Sequence, residues 1–145
     1  MTKRNLFLLG VLILAQLVYA GNWDDTKAQA KQENKLILLK FSGSDWCGPC
    51  IQLQKLIFDD PVFEQFAHDK LVLFKADFPR QKKNQLPKEQ QAINDQLAET
   101  YNPEGEFPCM VLIDAQGNTL RKWHGYDKKH TVQDYMADVN AFINK

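Results

Sequence analysis

Apolar positions along this chain follow two different periods, and their alternation predicts an α/β domain. Runs of strand length lie at Leu36–Ser42, Leu71–Asp77, 109–114 and Thr119–His124. Helices are predicted at 24–33, from 47 onward, from 61 onward, at Lys88–Tyr101 and from 131 onward. The first strand is apolar at nearly every position, which indicates that helices cover both of its faces. The order of elements fits a central mixed β-sheet flanked by helices on both faces, and by itself it is also compatible with other α/β folds.

The segment Trp46-Cys47-Gly48-Pro49-Cys50 lies between the first predicted strand and the helix that follows it. Cys47 is thereby placed at or near a helix N-terminus, where unpaired backbone N–H groups and the helix dipole favour negative charge. A thiolate is stabilised there, and the thiolate is the nucleophilic form of cysteine. Pro49 suits the first helical turn, because an N–H in that turn has no helical acceptor. This arrangement predicts a redox site; a static disulfide and half of a zinc site are the alternatives.

The first 20 residues differ in composition from the rest of the chain. Lys3 and Arg4 precede an apolar run that ends in Val18-Tyr19-Ala20, a pattern that signal peptidases read. The run is short for a membrane span. We interpret residues 1–20 as a signal peptide cleaved after Ala20, and residues 21–145 as an exported, periplasmic domain. An uncleaved membrane anchor is the alternative.

Charge and cysteine content narrow the classes of function further. The 145 residues include 18 Lys plus Arg and 18 Asp plus Glu, so no basic excess favours nucleic acid as a partner. Cysteines of exported proteins are usually structural, but three cysteines cannot all pair within one chain. Cys47 and Cys50 are also too close in sequence for their disulfide to staple a fold. We therefore expect this pair to exchange disulfides with other proteins.

The segment from Trp46 to Cys50 reproduces the active-site pentapeptide of thioredoxins, and the resemblance extends over about residues 23–144. Phe107-Pro108 resembles the cis-proline site of that family, and Gly117 and Gly125 match two further glycines of the family. The segment Phe58-Asp59-Asp60-Pro61-Val62-Phe63 is similar to exported bacterial thioredoxin-like proteins. It is also similar to the C-terminal domain of transmembrane thiol:disulfide interchange reductases. The resemblance implies a thioredoxin fold.

The resemblance also implies roles for the residues of the pentapeptide. Cys47 is expected to attack a disulfide in a protein substrate, and Cys50 is expected to resolve the mixed disulfide that results. The two cysteines then form the redox-active disulfide of the protein. Gly48 and Pro49 are expected to set the turn between them, and Trp46 to flank the reactive sulfur.

Substrate and partners follow from the same resemblance. The backbone of Phe107, next to a cis Pro108, is expected to pair with an extended segment of the substrate. The residues between the cysteines resemble those of reducing family members, so the expected function is reduction of protein disulfides. No cofactor and no metal are expected. The expected partners are disulfide-containing proteins and an unidentified membrane or exported electron donor, with the chain itself a monomer.

One position departs from the pattern of thioredoxins. Cytoplasmic thioredoxins have a buried aspartate that assists proton transfer at the second cysteine, and Lys40 aligns with it here. Lys75 aligns with a lysine of the family, and two ammonium groups in an apolar interior are costly, so at least one should reach water. Lys40 is expected to favour the thiolate form of the motif. Asp45 is a candidate substitute for the missing acid, although a loop-capping role is the preferred interpretation.

Two alternatives concern the remaining cysteine. A metal-binding carrier of copper or zinc would use Cys47, Cys50, Cys109 and His124, although the chain lacks a second CxxC sequence. Cys109 directly follows Pro108, so it is either an inert strand residue or a thiol that captures the motif when oxidised. Because the third strand is apolar on both faces, the pattern does not decide where Cys109 points. We favour the inert role.

Overall fold

The computed structural model describes residues 22–143, and four strands in this range form one sheet. The strands are β1 (Leu36–Ser42), β2 (Leu71–Asp77), β3 (Cys109–Ile113) and β4 (Thr119–His124). Their order across the sheet is β2-β1-β3-β4. β1 is parallel to β2 and antiparallel to β3, and β3 is antiparallel to β4. The sheet is therefore mixed, as the sequence pattern predicts.

Five α-helices in the described part of the chain surround this sheet. They are α1 (Trp23–Glu33), α2 (Gly48–Leu53), α3 (Pro61–Lys70), α4 (Lys88–Tyr101) and α5 (Val132–Ile143). A π-helical turn (Gln54–Phe58) continues α2, and a short 3₁₀ turn (Lys82–Asn84) lies between β2 and α4. α3 begins where predicted, because the Asp60 carboxylate accepts a hydrogen bond of 2.8 Å from the N–H of Val62 and Pro61 takes the first helical position.

Most element boundaries agree with the sequence pattern. β1, β2, α4 and β4 have the predicted bounds, while α1 begins one residue earlier than predicted because Asn22 caps it. β3 ends at Ile113, one residue earlier than predicted. The cause is the next residue, Asp114, whose carboxylate accepts hydrogen bonds from two backbone N–H groups of the hairpin turn. The π-helical turn after α2 has no counterpart in the sequence prediction.

Two apolar layers enclose the sheet, one on each face. On one face, α2, α3 and α5 pack against alternate strand residues that include Leu38 and Met110. On the opposite face, α1 and α4 cover residues that include Leu39, Val111 and Cys109. Successive residues of a strand point to opposite faces. Because helices cover both faces of the sheet, every residue of β3 is buried. The predicted arrangement of helices on both faces is confirmed.

Between residues 22 and 143, no helix has the length and apolar character needed to cross a membrane. The signal peptide predicted at residues 1–20, with cleavage after Ala20, lies outside the described residues. It therefore stays a prediction, as does the start of the mature domain at residue 21.

Candidate active site

The two cysteines of the motif lie where β1 leads into α2. Cys47 is the N-cap of α2, with an extended backbone conformation, and its Sγ accepts a hydrogen bond of 3.3 Å from the N–H of Cys50. The N–H of Cys47 donates a second hydrogen bond, of 2.9 Å, to the carbonyl of Gly43 and so fixes the turn that precedes α2. The sulfurs of Cys47 and Cys50 form a disulfide, with Cα atoms 5.2 Å apart. The structure thus represents the oxidised state of a cysteine pair held at a helix N-terminus.

Trp46 is held against the backbone of the turn that precedes the motif. Its indole N–H donates a hydrogen bond of 2.7 Å to the carbonyl of Phe78. The ring lies so close to Gly43 that a Cβ atom at this position would be 2.3 Å from a ring carbon. The guanidinium carbon of Arg80 lies 3.7 Å from the centre of the Trp46 ring, and the centre of the Phe107 ring lies 5.5 Å from it. Gly43 is therefore required for Trp46 to occupy this position.

The Phe107-Pro108 peptide bond is cis, as predicted, and directly precedes β3. The ring of Phe107 packs edge-on against Trp46 and also against Phe78, at 5.5 Å between ring centroids in each case. The carbonyl of Pro108 accepts a hydrogen bond of 2.9 Å from the N–H of Gly125. The structure therefore brings the cis-proline segment into contact with Trp46, the residue before Cys47, although the two are about 60 residues apart in sequence.

Lys40 lies beneath the motif, on the face of the sheet that α2 covers. Only 4% of it is exposed, and its Nζ donates a hydrogen bond to Oε1 of Gln54 and lies 3.8 Å from the centre of the Phe58 ring. Burial, followed by the positive charge of Lys75, lowers the pKa of Lys40 to about 8. The side chain of Lys75 is 46% exposed. The expectation that at least one of the two lysines reaches water is therefore confirmed.

Nearly the whole described chain matches a known domain. The family model for the thioredoxin-like domain matches residues 23–140. The chain belongs to the thioredoxin-like family. The predicted resemblance and fold are thereby confirmed.

Two curated relatives share part of this thioredoxin-like domain. Disulfide bond reductase DsbH of Chlamydia pneumoniae is 42% identical over 93 residues, which are 64% of this chain and 54% of the relative. Thioredoxin-related protein DsbJ of the same organism is 26% identical over 98 residues, which are 67% of this chain and 27% of the relative. The matches thus cover about half of the first relative and about a quarter of the second.

A solved structure titled DsbH oxidoreductase covers the thioredoxin-like chain much more completely. The alignment includes 98% of this chain and 95% of the solved one, with a TM-score of 0.75 and 30% sequence identity. The thioredoxin-like fold therefore accounts for nearly all of the described residues, with the cysteine pair at the junction of β1 and α2.

Asp45 has the loop-capping role that the sequence analysis preferred. Its carboxylate accepts hydrogen bonds of 2.9 Å from the N–H groups of Arg80 and Gln81, and one of 3.0 Å from the side-chain amide of Asn84. These donors, with the N–H of Arg80 contributing most, lower the pKa of Asp45. Asp45 is therefore a firmly ionised acceptor that joins the motif loop to the loop after β2. This arrangement does not support the alternative role in proton transfer.

Cys109 lies on the far side of the sheet from α2. It is fully buried among residues of the layer that α1 and α4 cover, and it pairs across the sheet with Phe41 of β1. Burial raises the pKa of the Cys109 thiol to about 11. In the structure Cys109 is a free thiol, while Cys47 and Cys50 are bonded to each other. These observations support the inert role for Cys109.

The alternative of a metal carrier required Cys47, Cys50, Cys109 and His124 to converge. Among residues 22–143, no group of three or more His, Cys, Asp or Glu side chains is arranged to hold a metal ion. Nδ1 of His124 instead lies 2.5 Å from the carboxylate of Glu106. The position of Cys109 on the opposite face of the sheet is the physical reason that the four residues do not meet.

The structure adds two residues that the sequence analysis did not assign to the site. Gln54 connects Lys40 to Asp59, because its amide nitrogen donates a hydrogen bond of 2.6 Å to the Asp59 carboxylate. Arg80 covers Trp46. The spacing of four residues from Cys50 was a weak signal for Gln54, since such residues share a helix face. No local pattern indicates that Arg80 reaches Trp46.

Proposed function

We propose that this chain is an exported thiol-disulfide oxidoreductase that reduces disulfides in other proteins. The observation that carries the proposal is the hydrogen bond from the N–H of Cys50 to Sγ of Cys47 at the start of α2. A donor in this position stabilises negative charge on Cys47 once the disulfide is reduced. The name of the DsbH relative, a disulfide bond reductase, supports the same direction of reaction.

The proposed reaction begins with the motif reduced, with Cys47 as a thiolate and Cys50 as a thiol. The Cys47 thiolate attacks one sulfur of a substrate disulfide, which forms a mixed disulfide and releases the other substrate sulfur as a thiolate that takes up a proton. Cys50 then loses its proton and attacks Sγ of Cys47. The second substrate sulfur leaves as a thiolate, and the Cys47–Cys50 disulfide seen in the structure remains. Both electrons come from the two cysteines, so the reaction needs no cofactor.

The supporting residues have distinct proposed roles. Gly48 and Pro49 are exposed at the first turn of α2 and are proposed to set the turn between the two cysteines. Trp46 is proposed to flank the reactive sulfur of Cys47, and its ring contacts Phe107. The backbone of Phe107, before the cis Pro108, is proposed to pair with an extended substrate segment. The contact between the rings of Trp46 and Phe107 supports this proposal, because it places both residues at one surface.

Location, partners and assembly are part of the same proposal. Residues 1–20 are proposed to direct export to the periplasm, with residues 21–145 as the mature, monomeric domain. An exported reductase must be recharged after each turnover, so a membrane or exported dithiol protein is the proposed electron donor. Disulfide-containing proteins are the proposed substrates. The DsbH relative, named as a disulfide bond reductase, supports disulfide-containing substrates, and the DsbJ relative is named only as thioredoxin-related.

The test is reduction of insulin by the mature chain with dithiothreitol as the electron source. We expect turnover by the wild type and none by Cys47→Ser, while Cys109→Ser serves as the matched control and keeps its activity. The reduction potential of the Cys47–Cys50 pair, measured against glutathione, should lie below that of glutathione if the chain is a reductase. A more oxidising potential, or full activity of Cys47→Ser, would contradict the proposal.

A further inference from the structure

A groove adjoins Trp46 and Phe107 on the side of the loop that follows β2. Its volume is about 430 Å³, and its apolar lining comes mainly from Trp46, Phe78, Pro79, Leu86 and Phe107. The groove therefore begins where the proposed substrate-pairing backbone lies. Its size and its aromatic walls suit an apolar side chain of a bound segment.

The loop that borders this groove is strongly basic. Residues 78–87 include three basic residues and no acidic one: Arg80, Lys82 and Lys83. All three are exposed. Arg80 is one of the residues that line the groove, and its guanidinium stacks on the Trp46 ring at 3.7 Å. None of the ion pairs found within residues 22–143 involves this guanidinium, so its N–H groups are available to a ligand.

The nearby acids do not neutralise this basic loop by pairing with Arg80. The Asp45 carboxylate is occupied by two backbone N–H groups and one side-chain amide. The Asp77 carboxylate accepts hydrogen bonds from the N–H and hydroxyl of Ser44 and lies 3.6 Å from Nζ of Lys75. Asp77 also lines the groove, but neither acid pairs with the Arg80 guanidinium, so no ion pair in the described residues neutralises this positive charge.

Two hydrogen bonds fix the backbone around Arg80. Its backbone N–H donates to Asp45, and the side-chain amide of Gln85 donates a bond of 2.9 Å to the carbonyl of Pro79. Stacking on Trp46 restricts the guanidinium further. A cation held in this way loses little freedom when it binds a carboxylate, so more of the interaction contributes to affinity.

We propose that this groove is a specificity site for substrates in which an apolar side chain and an acidic residue lie next to the reacting cysteine. The extended segment pairs with the backbone of Phe107, its apolar side chain enters the groove, and its carboxylate binds the guanidinium of Arg80. An Arg–carboxylate pair is suited to two parallel hydrogen bonds. This inference rests on the proposed function, because it concerns the substrate of the same site.

The test uses short peptides that carry one cysteine as a 2-pyridyl disulfide, with leucine on one side and glutamate, glutamine or lysine on the other. The Cys47 thiolate attacks the peptide sulfur and releases 2-thiopyridone, whose absorbance gives the second-order rate constant. We expect the wild type to prefer the glutamate peptide to the lysine peptide by about threefold to fivefold, the scale of an exposed charge pair. Salt should reduce this preference.

Three variants separate charge recognition from disturbance of the site. Arg80→Gln should abolish the preference, and Arg80→Glu should reverse it in favour of the lysine peptide, which no general loss of structure produces. Lys128→Gln, which removes an exposed charge outside the groove, is the matched control and should keep the wild-type preference. Equal rates with all peptides, or an unchanged preference in Arg80→Glu, would overturn the inference.

A small neutral substrate distinguishes this inference from the proposed function. Hydroxyethyl disulfide has neither a side chain for the groove nor a carboxylate for Arg80, so the wild type should reduce it whether or not the groove selects substrates. If the wild type reduces it but shows no peptide preference, the groove inference alone is wrong. If the wild type fails to reduce it or insulin, the proposed oxidoreductase function is wrong.

Discussion

The Cys47–Cys50 pair and Cys109 are nearly equally buried, yet their surroundings favour opposite chemistry. Cys47 is 5% exposed, Cys50 is 2% exposed and Cys109 is fully buried. The pair lies at the first turn of α2, where Cys47 receives a backbone N–H hydrogen bond. Cys109 lies within a strand among apolar residues, and burial raises the pKa of its thiol to about 11. Exposure alone therefore does not identify a reactive cysteine; the groups that face its sulfur do.

The sheet itself separates the two sites. Lys40 and Met110 point to the face covered by α2, whereas Phe41 and Cys109, each a neighbour in sequence, point to the other face. A change on one face should therefore affect one class of cysteine and leave the other largely unaffected.

The largest difference should appear when each cysteine is replaced in turn. Cys50→Ser should trap Cys47 in a mixed disulfide with its substrate, because the resolving thiol is gone. The trapped species is measured on a non-reducing gel after incubation with an insulin-type substrate. Cys109→Ser, the matched control, should trap none. Equal turnover by Cys50→Ser and the wild type would contradict the assignment of Cys50 as the resolving residue.

A methyl group at Gly43 should damage the motif side of the sheet selectively. The added Cβ would meet the Trp46 ring at 2.3 Å, so the ring must leave its place against the backbone. We expect Gly43→Ala to lower the free energy of unfolding by about 1 to 3 kcal/mol, the usual cost of overpacking. Urea denaturation measures this change.

Gly48→Ala is the control for that substitution, because a Cβ atom at Gly48 has no neighbour within 4 Å. It should leave the free energy of unfolding nearly unchanged. Alkylation of Cys109 in the folded Gly43→Ala protein should stay as slow as in the wild type, since Cys109 lies on the other face. Equal stability of the Gly43 and Gly48 variants would show that Trp46 adjusts at little cost.

Replacement of Lys40 should change the chemistry of the pair to a smaller extent. The ammonium of Lys40 favours a nearby thiolate, so Lys40→Met should reduce the fraction of Cys47 present as thiolate at neutral pH. Because the pKa of Lys40 is lowered to about 8, this difference should be largest below pH 8 and should decline above it, as Lys40 loses its charge in the wild type. Thiolate absorbance in the ultraviolet measures the fraction.

Lys75→Met provides the comparison for Lys40→Met. Lys75 pairs with Lys40 across β1 and β2, but its side chain is 46% exposed and its charge is screened by water, so its replacement should have a smaller effect on the thiolate. An unchanged or larger thiolate fraction in Lys40→Met would show that the ammonium is screened from the motif.

The smallest effect should follow replacement of Cys109. Cys109→Ala should leave disulfide-reductase activity within about a factor of two and lower the free energy of unfolding by about 1 kcal/mol, the scale of a small buried deletion. Peptide mapping of the air-oxidised protein should find Cys47 bonded to Cys50 and Cys109 free. A substantial Cys109-linked species, together with faster turnover in Cys109→Ala, would instead establish Cys109 as a redox brake.

The residues around the motif show where sequence reasoning reaches its limit. The position of Cys47 at a helix N-terminus was predictable, because a strand, a CxxC motif and an amphipathic helix are adjacent in sequence. The partner of Lys40 was not, because Gln54 lies at the start of a π-helical turn that the sequence pattern did not predict and meets Lys40 from another element of the fold. The stacking of Arg80 on Trp46 was equally hidden, since the loop between β2 and α4 carries no periodic pattern.

The sequence by itself determined the bounds of β1, β2, α4 and β4 and the placement of the cysteine pair, because apolar period and capping residues act over a few neighbouring positions. Only the tertiary structure decided which face of the sheet receives Cys109. β3 is apolar at every position, so its sequence pattern does not show which of its residues face α2. The register with β1 decides this, because it pairs Phe41 with Cys109 and Lys40 with Met110 across the sheet.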